Sequence, residues 1–168
     1  MILNAVNDFI NTAEDRGYYY DTGLKLSSQH NAELAKRQPP VTAKEMPAIE
    51  AKFLREHKTG CCLHFSMALL DHLAQFGEKG HLVITPEPNG GSHCSVLIKD
   101  LGGLKVIDIV EIIKHRDVGS EQFIEPLSSF KAKNDFVCIY EYTDGKHGDE
   151  PFFTQFVHSR FRDFKKRR

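Results

Sequence analysis

The stretch that follows Gly60 constrains the fold of this chain more than any other feature. Its apolar residues occur nearly all round the axis of a helix and not along one stripe: Leu63, Phe65, Met67, Ala68, Leu69, Leu70, Leu73, Ala74 and Phe76. A helix that is apolar on every side is buried on most of them. The sequence therefore predicts a central helix that starts at Cys61 or Cys62 and ends before Gly77, a suitable C-terminal cap.

Two further helices are predicted before the central one. Residues 2–15 carry apolar side chains at helical spacing, which indicates an amphipathic helix. Thr42 and Glu45 have the spacing of a capping box. We therefore predict a second helix that starts there and runs to about His57.

The segment between those two helices shows no periodic pattern. The run Tyr18–Tyr20 is interpreted as core and rim packing, with a place in a substrate cleft or an oxyanion-binding hydroxyl as the alternative. Residues 21–40 are polar and end in two prolines, which break a helix. We predict a loop there, with one helical turn at 31–37.

The periodicity changes after Gly77. Short runs rich in β-branched or aromatic residues, separated by glycine, proline, asparagine and aspartate, predict strands at 81–84, 93–98, 104–110 and 136–142. The sequence Leu101-Gly102-Gly103 predicts a hairpin between the second and third of these strands.

Helices that precede strands indicate an α+β fold. We predict a single domain over residues 1–168, a length sufficient to bury a core. Its helical part covers about 1–77, and an antiparallel sheet packed on the central helix covers about 80–142. A C-terminal helix is predicted at about 152–164.

Composition excludes several classes of function. A formal net charge of -1 gives no general attraction to nucleic acid, and no apolar stretch is long enough to span a bilayer. The N-terminus has neither a basic region nor a cleavage site for secretion, so we predict a cytoplasmic protein without nucleic-acid or membrane partners. In that reducing compartment the four cysteines are expected to be thiols: Cys61, Cys62, Cys94 and Cys138.

Three residues form a candidate catalytic constellation. Cys62 stands at the predicted start of the central helix, where backbone N–H groups and the helix dipole favour a thiolate. His93 opens a predicted strand, and Asp108 lies in the apolar run 106–110 on the strand expected to pair with it. A carboxylate among aliphatic side chains is costly to bury without a partner. An imidazole that it orients, and that activates the thiol, would be such a partner.

The spacing around these residues follows a family pattern. A glycine precedes the cysteine by two positions, and an aromatic and a small residue follow it at three and four positions: Gly60, Cys62, Phe65 and Ser66. A histidine opens a strand, and an aspartate follows about fifteen residues later. Residues 58–110 thereby resemble the transglutaminase-like superfamily of papain-like cysteine enzymes. The resemblance implies a papain-like fold with Cys62 as nucleophile, His93 as general base and Asp108 as orienting residue.

The resemblance implies a cysteine-dependent acyl-transfer enzyme that needs no cofactor. Hydrolysis of a peptide or isopeptide amide through a thioester is the expected reaction, and a transglutaminase or acyltransferase would use the same triad. The chain departs from the family in having His64 where an acidic residue is frequent, and in lacking tryptophan. These departures motivate another alternative, a non-catalytic transglutaminase-like binding module.

A metal-binding protein is a third alternative, because histidines and cysteines are frequent between residues 61 and 94. Their spacing does not repeat the short doublets of zinc fingers. Cys62 and His64 would also point to different faces of one helix. The sequence therefore predicts no metal site.

Overall fold

The longer helices described in this protein lie in the N-terminal half of the chain. In a computed structural model, which describes residues 1–88, 91–140 and 145–153, they are α1 (Ile2–Asp15), α2 (Lys25–Ala35), α3 (Met46–His57) and α4 (Cys62–Gln75). A short 3-10 helix at Ala43–Glu45 precedes α3. The predicted capping box forms there, since the Glu45 carboxylate accepts the backbone N–H of Thr42 at 2.8 Å. The predictions for α1, α3 and α4 are confirmed.

A five-stranded antiparallel sheet follows these helices. Its strands are β3 (Gly80–Pro86), β4 (Ser92–Asp100), β5 (Gly103–Ile107), β6 (Ile124–Pro126) and β7 (Cys138–Tyr140). They are arranged in the order β6-β5-β4-β3-β7, and β4 and β5 form the predicted hairpin. A separate parallel pair joins β1 (Tyr19–Tyr20) to β2 (Thr59–Gly60). The prediction of a mixed α+β fold with an antiparallel sheet is confirmed.

Helix α4 is buried on all sides from Leu63 to Leu70, as its composition predicts, and is exposed only at its C-terminal end. Phe65, Met67, Leu69 and Leu73 are each 0% exposed although they lie on different sides of the helix. The helix packs on α3, on α1 and on the face of the sheet that β3 and β4 provide. Helix α6 (Leu127–Lys133) covers the opposite face of the sheet. The N-terminus of α4 is thereby held in a fixed position beside the sheet.

Helix α2 was not predicted, because polar contacts and not an apolar stripe hold it. Its start is fixed by the Asp21 carboxylate, which accepts the backbone N–H of Ser27 at 2.9 Å and its hydroxyl at 2.8 Å. Its middle contacts α3 and α4 through His30 and Asn31. Hydrophobic periodicity does not detect a helix of this kind. The prediction of a loop is therefore wrong over residues 25–30, and the helical turn predicted at 31–37 overlaps the second half of α2.

The strand predicted at 104–110 is too long. Strand β5 ends at Ile107, and Asp108 is the N-cap of a helix, α5 (Ile109–Lys114). The carboxylate of Asp108 accepts the backbone N–H of Glu111 at 3.2 Å. The aliphatic residues that follow are buried because one side of this short helix packs on the core. An apolar run therefore changes here from strand to helix at its single acidic residue.

The predicted C-terminal helix at 152–164 lies outside the described residues beyond Phe153. Phe152 is 0% exposed, and its ring packs edge-on against Tyr140. Before it, α7 (Gly145–Gly148) forms a single turn. No helix among the described residues is both long enough and apolar enough to cross a membrane.

The close approach of Gly60 to α4 gives a test of this packing. A Cβ atom at residue 60 would lie 2.9 Å from the Cβ and Nδ1 atoms of His64 and from Leu54. We expect Gly60→Ala to lower the free energy of unfolding by about 1–3 kcal/mol, the usual cost of overpacking. Gly23→Ala is the matched control, since nothing lies within 4 Å of its Cβ. Equal urea-unfolding midpoints for the two variants would contradict this packing.

Candidate active site

The N-terminus of α4 is built by two adjacent cysteines and a histidine. Cys61 is the N-cap, in an extended conformation with φ of -97° and ψ of -176°. Its backbone N–H donates to Nδ1 of His64 at 3.2 Å, and the backbone N–H of His64 in turn points to the Cys61 sulfur. Cys62 is the first residue of the helix. Its sulfur therefore stands where the first-turn N–H groups have no partner within the helix.

The structure distinguishes the two adjacent thiols. The pKa of Cys61 is raised to about 12, chiefly by its hydrogen bond with Cys62 and next by burial. Cys61 therefore stays a neutral thiol at ordinary pH. The same hydrogen bond lowers the pKa of Cys62, because a neutral S–H group can donate to a neighbouring thiolate. Of the two thiols, Cys62 is the one suited to ionise.

All four sulfurs are free thiols in the structure. Cys94 is buried, at 2% exposure, and the other three are half-buried. Cys62 is therefore less buried as a residue than Cys94.

His93 and Asp108 meet at the ends of adjacent strands. Nε2 of His93 lies 2.8 Å from Oδ2 of Asp108. The other carboxylate oxygen accepts the backbone N–H of Glu111, and the backbone N–H of Asp108 donates to the Phe123 carbonyl at 2.9 Å. Three hydrogen bonds thus fix Asp108 at the β5–α5 junction. Because the ionised carboxylate is an acceptor only, it holds a proton on Nε2 of His93.

Nδ1 of His93 is then the nitrogen that remains for chemistry. The imidazole is close enough to the Cys62 sulfur for each group to change the pKa of the other. The Glu87 carboxylate also lies 3.8 Å from Nδ1. The structure therefore brings Cys62, His93 and Asp108 together at one place.

The pKa of His93 is raised to about 10. Burial lowers it, but the hydrogen bonds with Asp108 and Cys62 and the negative charges of both groups outweigh burial. The Cys62 thiolate contributes part of this rise, so the raised pKa of His93 describes the ring while Cys62 is ionised. The site favours a positive charge on His93 as long as its two partners are anionic.

The pKa of Cys62 is raised overall, which opposes ionisation. The hydrogen bond with Cys61 lowers it, but the neighbouring Cys94 and burial raise it, while His93 lowers it again. The sulfur also lies 4.0 Å from the Ser92 carbonyl oxygen, a weak contact. A thiolate at Cys62 is consequently stabilised first by the hydrogen bond with Cys61 and then by His93.

Tyr20, for which the sequence analysis gave a cleft or oxyanion role only as an alternative, interacts electrostatically with the cysteine pair. It is half-buried, and its pKa is raised by burial and next by the charges of Cys62 and Cys61. The ammonium group of Lys114 lies 4.1 Å from the centre of its ring. Tyr18, by contrast, is 4% exposed and belongs to the core. Strand β1, which places Tyr20 opposite Gly60, is too short for a sequence pattern to show it.

A cleft of about 470 Å³ opens beside His93 and Asp108. Glu87 and Pro86 line one wall, and Phe130 and Phe136 line the other. The cleft offers both apolar and acidic surface next to the imidazole. Its volume suits a side chain or a short peptide segment.

A second polar cluster lies behind the N-terminus of α4. His30, Glu50 and His64 come from α2, α3 and α4, and their ligand atoms lie within 4.8 Å of one another. Glu50 and His64 are each 0% exposed. The sequence analysis considered His64 as a possible metal ligand but did not identify its partners. Nothing in the local sequence pattern distinguishes the buried Glu50 from a surface glutamate.

This cluster is arranged for hydrogen bonds and not for a metal ion. His64 Nδ1 accepts the Cys61 N–H, so the proton of a neutral ring is on Nε2, the atom that faces Glu50 and Asn31. A nitrogen that carries a proton has no lone pair for a metal. The tautomer inferred from these hydrogen bonds is therefore an argument against a metal site here.

The comparisons with known proteins identify no relative. No family model matches the chain, and no curated protein and no solved structure matches it.

The carboxylate of Asp108 provides a test of the raised pKa of His93. In Asp108→Asn the amide oxygen can still cap α5, but the charge beside Nε2 is lost. We expect the pKa of His93 to fall from about 10 toward its ordinary value of 6.5, measured by NMR titration of the ring. Asp100→Asn, which removes a carboxylate paired with Lys105 in the same hairpin, is the control.

The same variant changes how stability depends on pH. A folded-state pKa above the unfolded one stabilises the protein fully below pH 6.5, and this contribution is lost as the pH rises through about 10. We expect the difference in free energy of unfolding between wild type and Asp108→Asn to shrink over that range. An unchanged His93 titration in the variant would contradict the assigned cause.

Proposed function

We propose that this protein is a cysteine-dependent acyl-transfer enzyme of the transglutaminase-like kind, with a papain-like fold. The observation that carries the proposal is the 2.8 Å bond between His93 and Asp108, beside a half-buried Cys62 at the start of a buried helix. The family resemblance implies a nucleophile at a helix start, a histidine at a strand start and an aspartate about fifteen residues later. The antiparallel sheet packed on α4 supports it.

The reaction that we propose begins with proton transfer. Nδ1 of His93 accepts the proton of Cys62 while the sulfur attacks an amide carbonyl carbon. The carbonyl electron pair moves to oxygen, where the first-turn N–H groups of α4 and the Tyr20 hydroxyl are candidate donors to the oxyanion. Asp108 stabilises the imidazolium that forms.

The second half of the proposed reaction releases the acyl group. His93 donates its proton to the leaving amine, the C–N bond breaks, and a thioester to Cys62 remains. Water then attacks the thioester, with His93 as base, and the thiol and a carboxylic acid form. The substrate class that we propose is a peptide or isopeptide amide, and the compartment is a reducing one such as the cytoplasm, where Cys62 stays a thiol.

Two alternatives are each favoured by one observation. Glu87 is exposed and lies 3.8 Å from Nδ1 of His93, where it could hold a cationic amine that replaces water, as in a transglutaminase or acyltransferase. The raised pKa of Cys62 favours a non-catalytic binding module, since an unactivated thiol needs no base. The rate of Cys62 alkylation distinguishes the non-catalytic binding module from an enzyme.

Alkylation with iodoacetamide tests the proposed nucleophile. We expect Cys62 to react at least about tenfold faster than the other three thiols, because a nearby imidazolium favours its thiolate. His93→Ala removes this advantage, and Cys62→Ser abolishes the fast reaction. Rates are measured by mass spectrometry of peptides from about pH 5 to about pH 9, across the range in which thiols titrate.

Cys61→Ser is the matched control for these variants. A serine at residue 61 can still cap α4, and its hydroxyl can still donate to the neighbouring sulfur. The fast alkylation should persist in this variant. Slow, uniform labelling of all four thiols in the wild-type protein would exclude the enzyme and leave the binding module.

A further inference from the structure

The buried cluster behind α4 connects three helices through one histidine. Nε2 of His64 donates to Oδ1 of Asn31 at 2.9 Å, and Nδ1 accepts from the Cys61 backbone at 3.2 Å. On the far side of the ring, Glu50 pairs with His30 at 3.1 Å. His64 is thus the one side chain of this cluster that is hydrogen-bonded to the cysteine pair.

The contact with Cys61 decides where α4 begins. With its N–H held by His64, Cys61 stays in the extended conformation of an N-cap, and its sulfur faces the backbone N–H of His64. The Cys61 carbonyl then accepts the first helical hydrogen bond, from Phe65 at 3.1 Å. Cys62 follows as the first helical residue, which sets the direction of its sulfur.

The surroundings hold His64 in a single orientation. The side chain is 0% exposed, and its ring packs 4.9 Å from the ring of Phe53 and 5.3 Å from that of His30. Glu50 Oε2 lies 3.2 Å from Nε2, although among the described residues this oxygen accepts no hydrogen bond. A flipped or rotated ring would put a C–H group against Asn31 or the Cys61 N–H, so the polar atoms permit one arrangement.

We propose that His64 is a positioning residue for the nucleophile: its Nδ1 acts as a fixed acceptor that orients Cys61 and, through it, Cys62. Asn31 supports this role by holding the proton on Nε2, and Glu50 closes the buried pocket behind the ring. This inference rests on the proposed function, since it assigns a role in presenting Cys62. It also explains why a histidine occupies the third position of a capping box, where glutamate or glutamine is usual.

An isosteric pair of substitutions isolates the contact. Asn and Leu have similar shapes, and both lose the Nε2 contacts of His64, but only Asn keeps an acceptor near the position of Nδ1. We expect alkylation of Cys62 to be about tenfold slower in the His64→Leu variant than in the His64→Asn variant. A factor of about ten corresponds to the free energy of one lost hydrogen bond. Circular dichroism and thermal melts establish that both variants are folded.

His72→Gln is the matched control on the same helix. His72 lies near the C-terminal end of α4 and pairs with Asp8 at 2.9 Å, far along the helix from the cysteines. Its substitution should leave the alkylation rate of Cys62 unchanged. Equal rates in folded His64→Leu and His64→Asn would overturn the proposal.

A measurement on the wild-type protein keeps the proposal testable if either variant fails to fold. Long-range ¹⁵N–¹H NMR of the imidazole should show Nδ1 of His64 without a proton and Nε2 with one, and the Cys61 amide should exchange slowly with solvent. A proton on Nδ1, or one equivalent of zinc in elemental analysis of the purified protein, would overturn it. If wild-type Cys62 is not selectively alkylated, the proposed function fails. The NMR measurement of the His64 tautomer still tests, independently, whether His64 accepts the Cys61 N–H.

Discussion

The burial of most of α4 is the constraint on which the rest of the structure depends. From Leu63 to Leu70 the helix has no exposed face, so other elements must cover it all round, and here α1, α3 and the sheet do so. Its first turn lies beside His93 and follows directly on the cysteine pair. The hydrophobic effect thus fixes the place of polar groups that it does not itself stabilise.

Asp108 shows how much of the site a sequence can predict. Its position in an aliphatic run indicates a carboxylate with a partner, and in the structure that partner is His93 at 2.8 Å. The run does not reveal that the strand ends one residue earlier, because isoleucine and valine suit a buried strand and the buried side of a short helix equally well. One oxygen of Asp108 orients the imidazole and the other caps α5, so the residue belongs at once to the site and to the fold.

The parts that sequence reasoning missed are held by polar contacts over long separations. Helix α2 has no apolar stripe and is fixed by Asp21, His30 and Asn31. Glu50 is the clearest case, since a glutamate at 0% exposure looks like a surface residue in an amphipathic pattern. Hydrophobic periodicity indicates which apolar side chains are buried. It does not indicate buried polar groups, whose transfer out of water is unfavourable unless they find hydrogen-bond partners. Only the contacts themselves identify such residues.

The β4–β5 hairpin has a consequence for how the site assembles during folding. His93 and Asp108 stand at the open end of this hairpin, whose strands are joined by a tight turn between Asp100 and Gly103. A short loop closes with little loss of chain entropy, so we expect imidazole and carboxylate to come together early and locally. Cys62 precedes both in the chain and reaches them only when α4 docks on the sheet. A folding intermediate with a formed hairpin and an undocked helix would therefore contain the His93–Asp108 pair without Cys62, which would join the candidate site only when the core was complete.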